Sequence, residues 1–331
     1  MKIVCFGEIM LRLTPHVFQK IEQAKSFLHD YGGSESNVSV TLAQLGAEVY
    51  YVTRVPDNPF GQSALNSLAQ FGVDTGRSVK GGGRLGIYFV ELGSGRRNSK
   101  VIYDRSHSGM HSLKPGMIDW KTVLKDTDWF HWSGITPSLS MEAASATEEA
   151  LSVASELKLK ISCDLNYRSK LWQYGVKPFE VMPRLIEYCD VLFGDLDVMD
   201  VYFGIQSQSM EIDVMNLQKR FPKLSYIALS DREGLSATHN TYQGFLFHNG
   251  KSYISKKYDM PDMIDRIGSG DAFAGGLIYQ LAYTQNKLDY AIDYATATSV
   301  YKHYVPGDMN CITKDDVESL MKGGSGAKVK R

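Results

Sequence analysis

The chain has 331 residues, 43% hydrophobic and 22% charged, with a formal net charge of −1. That length holds a large core plus a smaller subdomain. The near-neutral balance offers no field to gather nucleic acid or anionic lipid, so neither is expected as a partner. No apolar run has membrane-spanning length, and the stretch before Gly7-Glu8 is too short for a signal peptide.

Residues 3–6 are an apolar run and the predicted first strand of a parallel sheet. A polar-mixed stretch, broken at Thr14-Pro15, leads to Tyr31. The turn Gly32-Gly33-Ser34-Glu35-Ser36-Asn37 then opens a helix over 38–45 that Gly46 closes. A strand at 49–52 and a helix at 60–71 follow. Residues 85–92 and 100–103 are strand-like around a polar turn, which predicts a hairpin set into a βα chain. Such a hairpin suits a lid that excludes water from reactive phosphates, or a plain edge hairpin.

Downstream the pattern predicts strands near 129–132, 160–164, 190–193, 226–229 and 253–256. Helices are predicted at 142–156, 179–188, 272–283 and 288–304. This alternation specifies an open α/β fold. The fold is expected to span 1–318 as one domain, with a lid from about 12–35 and 84–106. The glycine- and lysine-rich residues 319–331 are expected to form a disordered tail. Cys5, Cys163, Cys189 and Cys311 form no C-x-x-C pair and are expected as free thiols, which suggests a cytoplasmic protein.

In open α/β sheets ligands sit beyond the carboxyl ends of the strands, so polar residues there are informative. Gly7-Glu8, Asp164 to Arg168, Gly194-Asp195 and Ser230-Asp231 occupy such points. The stretch Gly268-Ser269-Gly270-Asp271 precedes a helix. Its glycines let the backbone present N–H donors at a helix N-terminus, an anion site. Asp271 stands where it would accept a proton from an attacking hydroxyl. Together these residues suit phosphoryl transfer. Arg168 fits either an anion clamp or a surface ion pair. Tyr88, Tyr103 and Arg105 lie on the hairpin and face substrate if it is a lid. Asp195, Asp197 and Asp200 suit either water-mediated Mg²⁺ contact or a helix N-terminus. His107, His111 and His131 lack metal-like spacing, and Trp129 and Trp132 are expected in the core.

Gly32 to Asn37 resembles the N-terminal GG-x-x-x-N signature of the ribokinase-like (phosphofructokinase-B) sugar kinases. Asp265 to Phe273 resembles their D-T-x-G-A-G-D-x-F signature, with Arg266 and Ser269 in place of Thr and Ala. The resemblance implies a Rossmann-type three-layer core with a small β-sheet lid. It implies ATP-dependent phosphorylation of a sugar hydroxyl, with Asp271 as base and the amides of Gly268, Ser269 and Gly270 stabilising charge. It places Gly33 and Asn37 by the sugar, and Ser230, Gly234, Gly270 and Asn310 by the nucleotide. The family's N-x-x-E motif reads Asp195 and Val198 here, so Asp195 is the candidate metal contact. Mg²⁺ is expected with ATP, and a monovalent cation near Asp265 is a further candidate.

Within the family, Asp164-Leu165-Asn166-Tyr167-Arg168 through Trp172, with Tyr88 and Tyr103-Asp104-Arg105, resembles the 2-keto-3-deoxygluconate kinase group. That resemblance implies a sugar acid whose carboxylate meets Arg105 and Arg168, phosphorylated at a terminal hydroxyl. Kinases of neutral sugars such as fructose share parts of the pattern and stand as the alternative. A non-catalytic sugar- or nucleotide-sensing protein is the alternative of another class. A dinucleotide oxidoreductase fails on Gly7-Glu8-Ile9-Met10-Leu11, which lacks G-x-G-x-x-G. The family's lids often pair across a two-fold axis, so a homodimer or higher homo-oligomer is expected.

Overall fold

The structure, a computed structural model, describes residues 1–16, 18–284 and 287–323. The chain opens with β1 (Lys2–Phe6), β2 (Met10–Pro15) and β3 (Phe27–Gly32), then α1 (Ser34–Gln44). Next come β4 (Glu48–Val52), the two-residue β5 (Arg54–Val55), α2 (Pro59–Ala69), the two-residue β6 (Val79–Lys80), β7 (Gly86–Glu91) and β8 (Lys100–Asp104). The short α3 (Trp120–Val123) precedes β9 (Trp129–Ser133), α4 (Met141–Glu156), β10 (Lys160–Asp164), α5 (Pro178–Ile186) and β11 (Val191–Gly194). Then come α6 (Met199–Phe203), α7 (Met210–Arg220), β12 (Tyr226–Asp231), β13 (Asn240–His248), β14 (Lys251–Ile254) and β15 (Tyr258–Met260). The helices α8 (Ser269–Tyr279), α9 (Leu288–Lys302) and α10 (Lys314–Met321) close the chain.

The main sheet runs β14-β13-β12-β11-β10-β9-β1-β4, with β15 paired to β13. Strands from β4 through β12 are parallel, and β13 and β14 turn antiparallel at the edge. Period-two alternation makes three layers. Val4 and Phe6 face a core shared with Ala150 and Leu151 of α4 and Leu185 of α5. Ile3 and Cys5 face the opposite core, with Val38 of α1, Leu277 of α8 and Ile292 of α9. From β1 the chain passes to β4 on one side and to β9 on the other. The crevice beyond their carboxyl ends is therefore the topological switch point, where ligands sit in such sheets.

A separate four-stranded sheet has the order β3-β2-β7-β8. The predicted hairpin is β7–β8, with Tyr88 opposite Tyr103. The structure corrects the reading of 10–31: Pro15 does not break a loop but ends β2, where a strand end tolerates its missing N–H. β13 and α7 were also not foreseen. α10 continues to Met321, past the expected boundary at 318. The expected tail otherwise falls on 324–331, outside the described residues. All four cysteines are free, three buried and Cys311 exposed. Trp129 and Trp132 are buried in the core, as expected, and His131 is buried beside them. No helix among the described residues is long and apolar enough to cross a membrane.

Candidate active site

A cavity of about 780 Å³ opens at the switch point, between the carboxyl ends of the parallel strands and the four-stranded sheet. Its centre is the N-terminus of α8. Gly268 caps that helix at φ +82°, a left-handed conformation that favours glycine. A Cβ there would also lie 2.3 Å from the Asp308 carbonyl oxygen. Beyond it, the first-turn N–H groups of α8 have no acceptor within the helix, the Ser269 N–H donating to the Arg266 carbonyl at 3.4 Å, and such a terminus favours anions. A Cβ on Gly270 would meet nothing within 4 Å, so the space over this turn is open to a ligand.

Asp271 lies in the first turn of α8 and is buried. Its carboxylate accepts from Asn37 Nδ2 at 2.7 Å and from Ser34 Oγ at 2.9 Å, both on α1. Asn166 Nδ2 donates to the same Ser34 oxygen at 2.8 Å. Burial raises the Asp271 pKa to about 6, and the Asn37 and Ser34 hydrogen bonds hold it from rising further. That value suits a general base working near neutrality.

Two other carboxyls share this environment. Glu35, on α1, accepts from Ser133 Oγ at 2.6 Å, and burial raises it to about 7. It reaches this position only because residue 7 is glycine: a Cβ there would lie 2.1 Å from the Glu35 carboxyl. Asp164, at the end of β10, is pushed to about 8 by burial first, then by Asp271 and Asp195.

At the other end, the β7–β8 hairpin supplies the buried Tyr88 and the half-exposed Tyr103, stacked at 6.0 Å. Arg105 also lines the cavity, but its guanidinium is already engaged. It donates to Glu8 Oε2 through Nε at 2.8 Å and through Nη2, while Ser108 Oγ donates to Glu8 Oε1. Arg105, expected at a substrate carboxylate, thus already holds a carboxylate from within the chain. Its buried position requires a counter-charge, and Glu8 supplies it. Arg168 is exposed, donates to the Tyr167 carbonyl at 3.2 Å, and has no carboxylate partner among the described residues.

The expected residues Gly33, Asn37, Tyr88, Tyr103, Arg105, Arg168, Asp195, Ser230, Gly268, Ser269, Gly270 and Asp271 all line this one cavity. Gly234 and Asn310 do not. Gly234 lies exposed on the turn before β13, bridged to Asn240. Asn310 is buried behind the site, its amide donating to the Thr298 carbonyl of α9 at 3.5 Å. In that segment it is Asp308 that reaches the cavity.

Sequence reasoning missed Arg12 and Asp308. Arg12, on β2, donates to Asp308 at 2.6 Å and to Asp265 at 2.5 Å. A signal existed: an arginine on the inward face of an alternating strand needs buried partners. Asp265 is paired with this guanidinium. Arg232 and Arg266 were also missed as lining residues. Burial, then Arg232, lowers the Arg266 pKa, and its Nε is buried without a partner. Asp195 and Asp197 are exposed at the rim. No cluster of three metal-ligating side chains exists among the described residues.

Known proteins resemble this chain over nearly its whole length. The 2-dehydro-3-deoxygluconokinase of Thermotoga maritima, a crystal structure, is 39% identical with a TM-score of 0.93, covering 98% of each chain. The 2-dehydro-3-deoxygalactonokinase of Haloferax volcanii is 31% identical over 98% of this chain and 97% of its own. The 2-dehydro-3-deoxygluconokinase of Thermoproteus tenax is 27% identical over 97% and 94%. The pfkB family carbohydrate kinases match residues 1–315. The chain therefore belongs to the pfkB family of carbohydrate kinases, with the α/β fold of the ribokinase-like enzymes.

Proposed function

We propose that this kinase transfers the γ-phosphoryl group of ATP to a terminal hydroxyl of a 2-keto-3-deoxy sugar acid of gluconate or galactonate configuration. The observation that carries the reading is Asp271. It is a buried carboxylate with its pKa at about 6, beside the open N-terminus of α8. Asp271 accepts the hydroxyl proton, and Asn37 and Ser34 fix its orientation. The amides of the Gly268–Gly270 turn bind the charge that develops on the transferred group. Ser230, Arg232 and Arg266 line the nucleotide side, where an anion between the two guanidiniums would relieve their repulsion.

The sugar lies among Gly33, Asn37, Tyr88 and Tyr103. Arg168 presents the uncompensated charge for a carboxylate, and Arg105 shapes that end through its pair with Glu8. The donor set fits Mg²⁺ carried in by ATP rather than a protein-built cage, with Asp195 as the carboxylate nearest the strand end. We further propose a cytoplasmic protein with one kinase domain. In it the four-stranded sheet acts as lid and pairs with a second copy through the apolar groove of Leu11, Leu13, Tyr31 and Phe60. ADP release measured over a panel of sugars tests the substrate. Turnover is expected with 2-keto-3-deoxygluconate or its galactonate epimer. A higher kcat/KM for fructose would overturn the acid reading.

A further inference from the structure

We propose that Asp308, clamped by Arg12, is a positioning residue for phosphoryl transfer: it fixes the Asn37 amide against Asp271 and ties the four-stranded sheet to the Gly268–Gly270 turn. The inference rests on the reading of Asp271 as the base.

The geometry is a continuous chain. Arg12 points inward from β2 and is 2% exposed. Its Nη1 meets Asp308 Oδ1 at 2.6 Å, its Nη2 meets Asp265 Oδ2 at 2.5 Å, and its Nε donates to Thr14 Oγ1 at 3.0 Å. A planar fork can hold two carboxylates at once, which a point ammonium cannot. Asp308 Oδ2 accepts from Asn37 Nδ2 at 3.3 Å. That same nitrogen donates to Asp271 Oδ2 at 2.7 Å. Asp308 is thus one shared hydrogen-bond donor away from the base.

Asp265, on the other arm, accepts from the Ile267 amide at 3.0 Å and the Gly307 amide at 3.2 Å. One guanidinium therefore fixes both the start of the Gly268 turn and the segment that carries Asp308. Two glycines leave room for this wedge. A Cβ on Gly32 would lie 2.5 Å from the Asp308 carboxyl, and one on Gly268 would strike the Asp308 carbonyl. A buried ion cluster is weak as a source of stability, because well-packed apolar residues often do as well. What this one supplies is a fixed geometry linking three segments distant in sequence.

The split between kcat and KM, read beside the pH profile, separates positioning from scaffolding. Asp271 is faced by Asn37, Ser34 and Glu35 from α1, by Asp164 and Arg168 after β10, by Asp308, and by Lys302 of α9. The charge of Asp308 raises the Asp271 pKa. Asp308→Asn keeps the shape and removes that charge, so the acid limb of kcat/KM should move to lower pH. The loosened Asn37 amide should lower kcat by about tenfold to a hundredfold. The KM for ATP should not change. Arg12→Lys, which keeps the charge but cannot bridge both carboxylates, should lower kcat with the acid limb in place.

The two variants and Asp271→Asn are assayed together, with thermal melts to establish folding. Lower kcat in both folded variants, with the KM for ATP unchanged, supports the inference. Full kcat in folded Asp308→Asn overturns it, whether the acid limb moves or not, because the lost charge alone would displace the limb. If Asp271→Asn keeps full kcat, the base reading itself fails and takes the inference with it.

Discussion

The two ends of the cavity are built from different materials. The proposed phosphoryl end consists of backbone amides and a buried carboxylate held by neutral donors, Ser34 and Asn37. The proposed sugar-acid end consists of guanidiniums, and its two arginines are not equivalent. Arg105 is buried and paired with Glu8, whereas Arg168 is exposed and unpaired with any carboxylate among the described residues. The difference follows from what each end must do. Charge that exists only in the transition state is best met by donors fixed beforehand. A carboxylate that arrives with the substrate is best met by a charge left free until then.

The largest effect should come from the phosphoryl end. Asp271→Asn preserves the hydrogen-bonding shape but removes the base, so kcat should fall by about 10²–10⁴-fold. Steady-state kinetics check this, and an unchanged kcat in folded protein would remove the base. At the other end the two arginines should separate. Arg105→Ala leaves Glu8 buried without its counter-charge and should cost about 3–5 kcal/mol of stability. Arg168→Ala should leave the melting temperature unchanged. It should instead raise KM for the sugar acid by about 10–100-fold, the worth of charge-assisted hydrogen bonds, with KM for ATP unaffected. Equal effects on the two substrates would break the comparison, because Arg168 would then not be the carboxylate contact.

The same division explains what was legible in the sequence. The Gly268 turn and Asp271 could be read because local chemistry marks them: glycines where the backbone must bend, a carboxylate at a helix start. The open α/β fold followed from apolar runs alternating with helical periods, and its three layers and lid from the family resemblance. The pairing of Arg105 with Glu8 was not legible, since 97 residues separate them and only the fold brings them together. Arg12 and Asp308 are 296 apart: the inward arginine could have been read from its strand, but its partner could not. Asn310 shows the opposite case: in the segment carried over by resemblance the chain turns Asp308 into the cavity and Asn310 against α9. β13 escaped notice because Asn240–His248 mixes polar and aromatic residues, and the antiparallel edge has only one face fully covered.

The smallest effect concerns the whole protein and tests whether the phosphoryl end carries a cost. Burial places Asp271, Glu35 and Asp164 at about 6, 7 and 8 in the folded chain, against ordinary values of 3.8, 4.5 and 3.8. Between those values the folded state binds more protons than the unfolded state, so stability falls as pH rises through them. His131 and His303 act in the other direction. Burial keeps them neutral, at about 3 and 4 against an ordinary 6.5, so stability falls as pH drops below 6.5. The three carboxyls outweigh the two histidines, so the melting temperature should fall from about pH 5 to 8, most gently where the histidines oppose it. Asp271→Asn should shallow the alkaline decline, because its side chain no longer ionises, and this variant should melt higher than the parent at pH 8. A melting temperature that rises steadily from about pH 6 to 8 would mean that these carboxyls are not held against ionisation by burial. The base would then owe its readiness to something other than the walls of the cavity.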